Sequence, residues 1–210
     1  MRPRDSKLAA WDRKYQGEHP RWRGPSDLSI DILEGETVLE LGCGDGKTLR
    51  ALVRGDHRTI GLDFSRKALL SLMKRGGEVG KAHLVQADCI SLPFPSLSLH
   101  HVVAHHVLEH LEAEERRTAA TEVVRVLRPG GRLHVSVFAK EDLREGKGEL
   151  VEPSTYAREG ILYHYFLEEE LEGLFDALSL ISMRTESTAR MFAGKPIRRS
   201  VIHGVFRKGL

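Results

Sequence analysis

At 210 residues the chain is long enough to bury a full core within one domain. Hydrophobic residues at 40% and charged residues at 30% exclude a disordered or fibrous chain, and with no run of about twenty apolar residues a membrane-spanning helix is not expected. The net charge of +2 hides two basic ends, with seven Lys/Arg against three acids over residues 1–25 and seven against one over residues 184–208.

Such ends would draw a phosphate-rich partner such as RNA if they shared one face, and solvated surface charge is an equal reading. Met1-Arg2-Pro3-Arg4-Asp5 leads into no apolar signal segment. Cys43 and Cys89 form no C-x-x-C, so neither a disulfide framework nor a cysteine zinc site is implied. A cytoplasmic protein with reduced thiols is expected.

In chain order, Ser6 to Tyr15 spaces Leu8, Trp11 and Tyr15 along one side of a short helix. The turn-rich stretch Gly17 to Pro25 holds Trp22 between Arg21 and Arg23, and Asp27 to Leu33 reads as a second short helix. Val38 to Thr48 then reads V-L-E-L-G-C-G-D-G-K-T. An apolar run stops at Gly42, Gly44 and Gly46, and a helical pattern begins at Lys47. That is a buried strand, a tight turn and a helix start. Glycines there permit positive φ and let a ligand approach the main chain, with helix amides behind as donors. The spacing is neither the G-x-G-x-x-G of dinucleotide sites nor G-x-x-x-x-G-K-[ST]. Glu40 would repel a pyrophosphate but suit a ligand carrying positive charge.

The stretch E-L-G-C-G-D-G resembles motif I of the class I S-adenosylmethionine (SAM)-dependent methyltransferases, of the type 11 kind. The resemblance is strongest over residues 36–140. It implies SAM as cofactor, with S-adenosylhomocysteine as product, held at Glu40, Gly42, Cys43 and Gly44. It also implies a Rossmann-like seven-stranded sheet of order 3-2-1-4-5-7-6, with strand seven antiparallel; the alternating pattern of strands and helices by itself reads as a doubly wound α/β domain. One domain is expected: a cap segment (1–35), a SAM-binding core (36–140), a substrate-side loop (140–166) and a C-terminal helix and strand pair (167–210). Trp11-Asp12 and Tyr15 resemble the family's N-terminal cap over the cofactor, and simple docking of an amphipathic helix is the other reading.

Lys47 to Val53 reads as the first crossover helix and Thr59 to Leu62 as the second strand, ending in Asp63. An acid about twenty residues past the glycine turn reaches ribose hydroxyls. Ser65 suits the N-cap of a helix over Lys67 to Lys74, and Phe64 is placed to cover an adenine face or to join the core. After a break at Gly76 to Gly80, His83 to Gln86 is the third strand. The resemblance gives the adenine amino group to Asp88 and the ring lining to Cys89 and Ile90. Leu92-Pro93-Phe94-Pro95 is a connector to the fourth strand, Leu99 to Ala104.

His106 to His110 spells H-x-x-E-H, the inverted zinc-peptidase motif, which needs both histidines on one helix face. V-L-E-H-L directly after strand four is also common in the methyltransferases, so no metal is expected. On that reading His105 and His106 flank the methionine part of SAM and the acceptor. The family's usual Phe-Asp is Leu99-His100 here, so no role carries over to position 100.

Glu112 to Leu127 is an amphipathic helix, ended by Arg128-Pro129-Gly130-Gly131 before a fifth strand, Arg132 to Phe138. Lys140 to Gly160 is charged and poor in apolar residues, which predicts a mobile loop over the cleft. Ile161 to Phe166 is an aromatic cluster leading into a helix over Leu167 to Leu178. Leu180 to Met183 and Val201 to Phe206 close the sheet, joined by Arg190 to Arg199.

A base for an oxygen or nitrogen acceptor would come from His106 or His164, since imidazole titrates near neutrality; a carboxylate acceptor would need none. A small-molecule acceptor is the first expectation. Segments around Glu115 to Arg117 and Tyr163 to Phe166 resemble tRNA wobble-uridine carboxymethyl methyltransferases and tellurite-resistance-type methyltransferases. That leaves tRNA or a protein side chain as alternative acceptors, and a SAM-fold partner or activator subunit as the non-enzymatic reading.

Overall fold

The computed structural model describes residues 3–16, 30–192 and 195–210. Helix α1 spans Pro3–Lys14 and precedes strand β1, Thr37–Leu41. All five residues of β1 are buried, as expected for a parallel strand covered by helices on both faces. A short helix α2 (Leu49–Leu52) leads to β2 (Arg58–Asp63), α3 (Arg66–Arg75), β3 (His83–Gln86) and β4 (Leu99–His105). Ser65 caps α3 as expected, its Oγ accepting from the Ala68 amide at 3.1 Å. Helix α4 (Ala113–Val126) begins in a reciprocal cap between Glu112 and Glu115, and β5 (Leu127–Phe138) follows.

Three short strands come next: β6 (Glu149–Glu152), β7 (Thr155–Arg158) and β8 (Ile161–His164). Helix α5 (Glu168–Leu174) and the long pair β9 (Ser179–Phe192) and β10 (Lys195–Arg207) complete the chain. The main sheet has seven strands in the order β3-β2-β1-β4-β5-β10-β9. Strands β1 to β5 pair in parallel, and β10 is antiparallel to both its neighbours. In sheet numbering this is 3-2-1-4-5-7-6.

One cluster packs Leu49 of α2 and Val53 at its end with Leu69 and Leu72 of α3. Another packs Ala119, Val123, Leu171, Phe175 and Phe206. Each fully buried Leu or Phe contributes about 1.5–3 kcal/mol. Among the described residues no helix is long and apolar enough to cross a membrane.

Several expectations are corrected. Residues 140–160 are not a plain loop: β6, β7 and β8 form a separate antiparallel meander. Its turns explain this. Pro153-Ser154 joins β6 to β7 with Ser154 at φ +60°, and Glu159-Gly160 joins β7 to β8 with both φ positive, +53° and +80°. Two positive φ values match the twist of a hairpin. The helix expected over Leu167 to Leu178 ends at Leu174. The residues expected to join the last two strands largely belong to β9 and β10, and β5 begins at Leu127 rather than Arg132. Of the second short helix, Asp27 to Ser29 lie outside the described residues and Ile30 to Leu33 are not helical. The His106–His110 segment forms a 3-10 turn over Leu108–His110, so His106 lies outside it.

Candidate cofactor and acceptor site

At the carboxyl end of β1 the chain turns on Gly42, Gly44 and Gly46, with φ of +63°, +52° and +84°. The Gly46 amide donates to the Cys43 carbonyl at 2.8 Å, closing the turn. A Cβ on Gly44 would stand 2.6 Å from Tyr15 Oη, and one on Gly42 would stand 3.0 Å from Val107 Cγ2. Glycine is required here by conformation and by space together.

The turn forms one end of a cavity of about 420 Å³ running across the carboxyl ends of the parallel strands. Glu40, Asp45 and Asp63 line this end. Glu40 is 3% exposed, and its Oε2 has no hydrogen-bond partner among the described residues. Burial first, then the neighbouring charge of Asp63, pushes its carboxyl well above the usual range. Asp63 accepts from the Gly44 amide (Oδ2, 2.8 Å) and the Ser65 amide (Oδ1, 2.8 Å). Burial raises it to about 6, with those two amides pulling the other way. An unpartnered buried carboxylate oxygen, three acids and a side-chain-free cradle fit a cationic ligand. They therefore fit SAM, with its ammonium and sulfonium groups.

Phe64, Asp88 and Cys89 also line the cavity. The Asp88 carboxylate accepts from the Ile90 amide at 3.1 Å, which turns the chain back. Ile90 itself is a correction: its side chain is packed against the main core and does not line the cavity.

Helix α1 lies over this end. Trp11 meets His110 edge-on at 4.8 Å, and Ser65 Oγ donates to Asp12 Oδ1 at 2.6 Å. Lys7 pairs with Glu112 and Glu115 at 2.8 and 2.7 Å, and Lys14 pairs with Glu159 in the β7–β8 turn. Tyr15 is in the cavity wall; Trp22 lies outside the described residues.

His105 and His106 stand at the end of β4 and line the cavity. Burial and the nearby His106 push His105 down to about 3, so it stays neutral at physiological pH. His106 Nδ1 is 2.7 Å from Oε1 of Glu109. Burial would raise the Glu109 carboxyl, but the charge and hydrogen bond of His106 bring it below its usual value. An ionised Glu109 accepts from Nδ1–H, and whenever the ring is neutral this tautomer leaves Nε2 as the acceptor. The His106 side chain is 43% exposed.

His164, the other expected base, is a correction. Adjacent residues of a strand point to opposite faces, and Tyr163 takes the cavity side. His164 is buried instead, with Nδ1 against Thr155 Oγ1 at 2.7 Å and Nε2 against Glu170 Oε1 at 2.8 Å. Tyr165 and Phe166 also do not line the cavity. Among the described residues no group of three or more His, Cys, Asp or Glu is arranged to hold a metal ion, and His110 Nδ1 is committed to the Leu162 carbonyl at 2.7 Å.

Sequence reasoning missed Glu109, Phe138 and Arg144 as site residues. Glu109 was visible as the acid of H-x-x-E-H; Phe138 and Arg144 carry no motif.

Residues 39–135 match the methyltransferase domain family. A probable tRNA methyltransferase 9B of Mus musculus is 34% identical over 121 residues, 57% of this chain and 26% of that protein. A demethylmenaquinone methyltransferase of Clavibacter sepedonicus is 29% identical over 139 residues, 64% of this chain and 56% of that protein. The chain thus spans from about a quarter to somewhat over half the length of these relatives. A SAM-dependent methyltransferase from Methanosarcina mazei superposes with a TM-score of 0.72 at 23% identity, over 85% of this chain and 95% of the other. The glycine turn and the strand order agree with these matches: residues 39–135 match a methyltransferase domain, set in the fold shared with the Methanosarcina mazei structure.

Proposed function

We propose that the chain methylates a small-molecule acceptor, with SAM held at the acidic end of the cavity and the acceptor beside His106. The observation that carries this is the single cavity shared by Glu40, Asp63 and the His106 side chain. Bound SAM would supply a methyl carbon on a cationic sulfur, whose C–S bonding pair returns to sulfur as S-adenosylhomocysteine forms. Glu40 offers its unpartnered oxygen to the ammonium, and Asp63 accepts from the ribose. Phe64, Asp88 and Cys89 take the adenine. Glu109 holds the His106 tautomer, and Nε2 removes the proton from an acceptor O–H or N–H as its lone pair attacks. Helix α1 and the β7–β8 turn shut out water, tied through Lys14 and Glu159.

A tRNA acceptor is the second reading, favoured by the name of the mouse relative. Of the basic residues expected to serve it, Arg21 and Arg23 lie outside the described residues. Arg198 pairs with Glu141 at 2.8 Å and Arg199 with Asp142 at 3.3 Å. The test is a methylation assay with labelled SAM on fractionated extract, separating RNA, protein and metabolites. Label in the metabolite fraction supports the small-molecule reading. Label in RNA, with micromolar tRNA binding whose salt slope is about 0.7 per phosphate and which charge reversal at Arg198 and Arg199 abolishes, replaces it.

A further inference from the structure

Behind the acceptor end of the cavity lies Asp142, whose side chain has no exposed surface. Its Oδ1 accepts from Arg144 Nε at 2.6 Å and from the Arg144 amide at 3.0 Å. Its Oδ2 accepts from Arg144 Nη2 and from the Ser200 amide, both at 3.0 Å. Arg199 Nε approaches the same oxygen at 3.3 Å. Two guanidinium groups thus converge on one carboxylate. Both arginines line the cavity and Asp142 does not. The acids Glu40, Asp45 and Asp63 belong to the opposite end.

Arg144 is also fixed in orientation. Its Cζ lies 3.7 Å over the Phe138 ring, and the Asp142 carboxylate occupies its Nε/Nη2 edge. The N–H groups of Nη1 are not among the hydrogen bonds to described residues. A guanidinium already forked onto a carboxylate and stacked on a ring has given up its rotamer freedom before a ligand arrives. Its remaining end matches the two oxygens of a carboxylate. The surrounding walls are aromatic. Phe138 and Tyr163 lie nearly parallel, 12° apart with centroids at 6.5 Å, and His110 stands edge-on to both. The His106 ring lies 4.8 Å from the same Phe138 ring that Arg144 covers. Arg144 Cζ and the His106 ring centre can be no farther apart than those two distances combined, which is within the reach of one substituted ring.

Resting on the methyl-transfer reading above, the geometry points to an acceptor that is a planar ring acid. Arg144 anchors its carboxylate, and a ring hydroxyl or amine faces His106 and receives the methyl group. The carboxylate is the handle and not the methylated atom.

Calorimetry on the full chain tests this, with and without S-adenosylhomocysteine, using 3-hydroxybenzoate, 3-hydroxybenzamide and phenyl phosphate as probes. Hydroxybenzoate is expected to bind at least about tenfold more tightly than the neutral amide, the scale of one charge-assisted pair. In Arg144→Gln that ratio should fall to near one while the affinity for S-adenosylhomocysteine stays as in wild type. Arg144→Lys keeps the charge and loses the fork, so it should retain part of the ratio; it carries the test if the Gln variant melts. Equal binding of acid and amide, no saturable binding of the acid, or a ratio that survives in Arg144→Gln overturns the proposal. So does a selective loss of S-adenosylhomocysteine affinity, which would put Arg144 on the cofactor's carboxylate. Tighter binding of phenyl phosphate than of hydroxybenzoate overturns the assignment of a carboxylate. Failure to bind S-adenosylhomocysteine sinks the methyl-transfer reading separately, because the acid-to-amide ratio is also measured without it.

Discussion

His106 Nδ1 and Glu109 Oε1 face each other at 2.7 Å, the carboxylate fully buried and the imidazole reaching into the cavity. Glu109→Gln keeps the shape but removes the buried negative charge beside Nδ1. The imidazolium that forms when Nε2 takes a proton then loses its counter-charge, and the ring becomes a weaker base. With a hydroxyl acceptor, kcat should fall about 100-fold, close to the loss in His106→Ala. Binding of S-adenosylhomocysteine should be unchanged. A Gln variant with wild-type kcat and pH profile would remove the pair from the mechanism.

Burial raises the Asp63 carboxyl to about 6 from its ordinary 3.8. The folded state holds this proton more tightly than the unfolded chain, so stability from this group falls as pH rises from about 4 through 6. The loss is on the order of 3 kcal/mol. A cationic ligand favours the ionised form, so SAM affinity should rise as pH passes 6. Asp63→Asn should flatten that rise, and Asp63→Ala should weaken binding by about 1–3 kcal/mol. Titration calorimetry at pH 5 and pH 7.5 decides it; equal wild-type affinities would contradict the assignment.

Gly44 at φ +52° has Tyr15 Oη in the space of its missing side chain. Gly44→Ala should cost about 1–2 kcal/mol for the left-handed backbone alone and displace Tyr15 as well. Combining it with Tyr15→Phe should recover part of the steric share, which a double-mutant cycle by chemical denaturation measures. Strict additivity would mean the two groups do not touch.

Asp142 is buried, but Arg144 and the Ser200 amide hold its carboxyl below the usual range. Its stabilisation is complete above pH 4 and is lost as pH falls through the depressed folded value. Asp142→Asn should destabilise by about 3 kcal/mol, the low end for a broken buried pair, because the arginines are partly solvated. Acid melts should show the wild type converging on the variant at low pH; parallel curves would refute the linkage.

Much of this was legible from the chain. The apolar run into Gly42, Gly44 and Gly46 marks a buried strand and its turn, because the glycines end a run too short for a buried helix. The strand order came from resemblance, since periodicity does not encode neighbours. Residues 140–164 failed for a specific reason: Glu159 adopts positive φ beside Gly160, and Glu-Gly lacks the short side chain that marks Asn-Gly or Asp-Gly hairpins. Missing that hairpin meant missing β8, and with it the alternation that turns His164 away from Tyr163. Arg144 was illegible because its role depends on Asp142 and Phe138, which local patterning does not connect.

The turn at Glu159-Gly160 is pressed against α1: a Cβ on Gly160 would come within 3.2 Å of the Ala10 Cβ, and Lys14 grips Glu159. The helix that shelters the glycine turn therefore also shelters the aromatic end, so a single displacement of α1 would bare both.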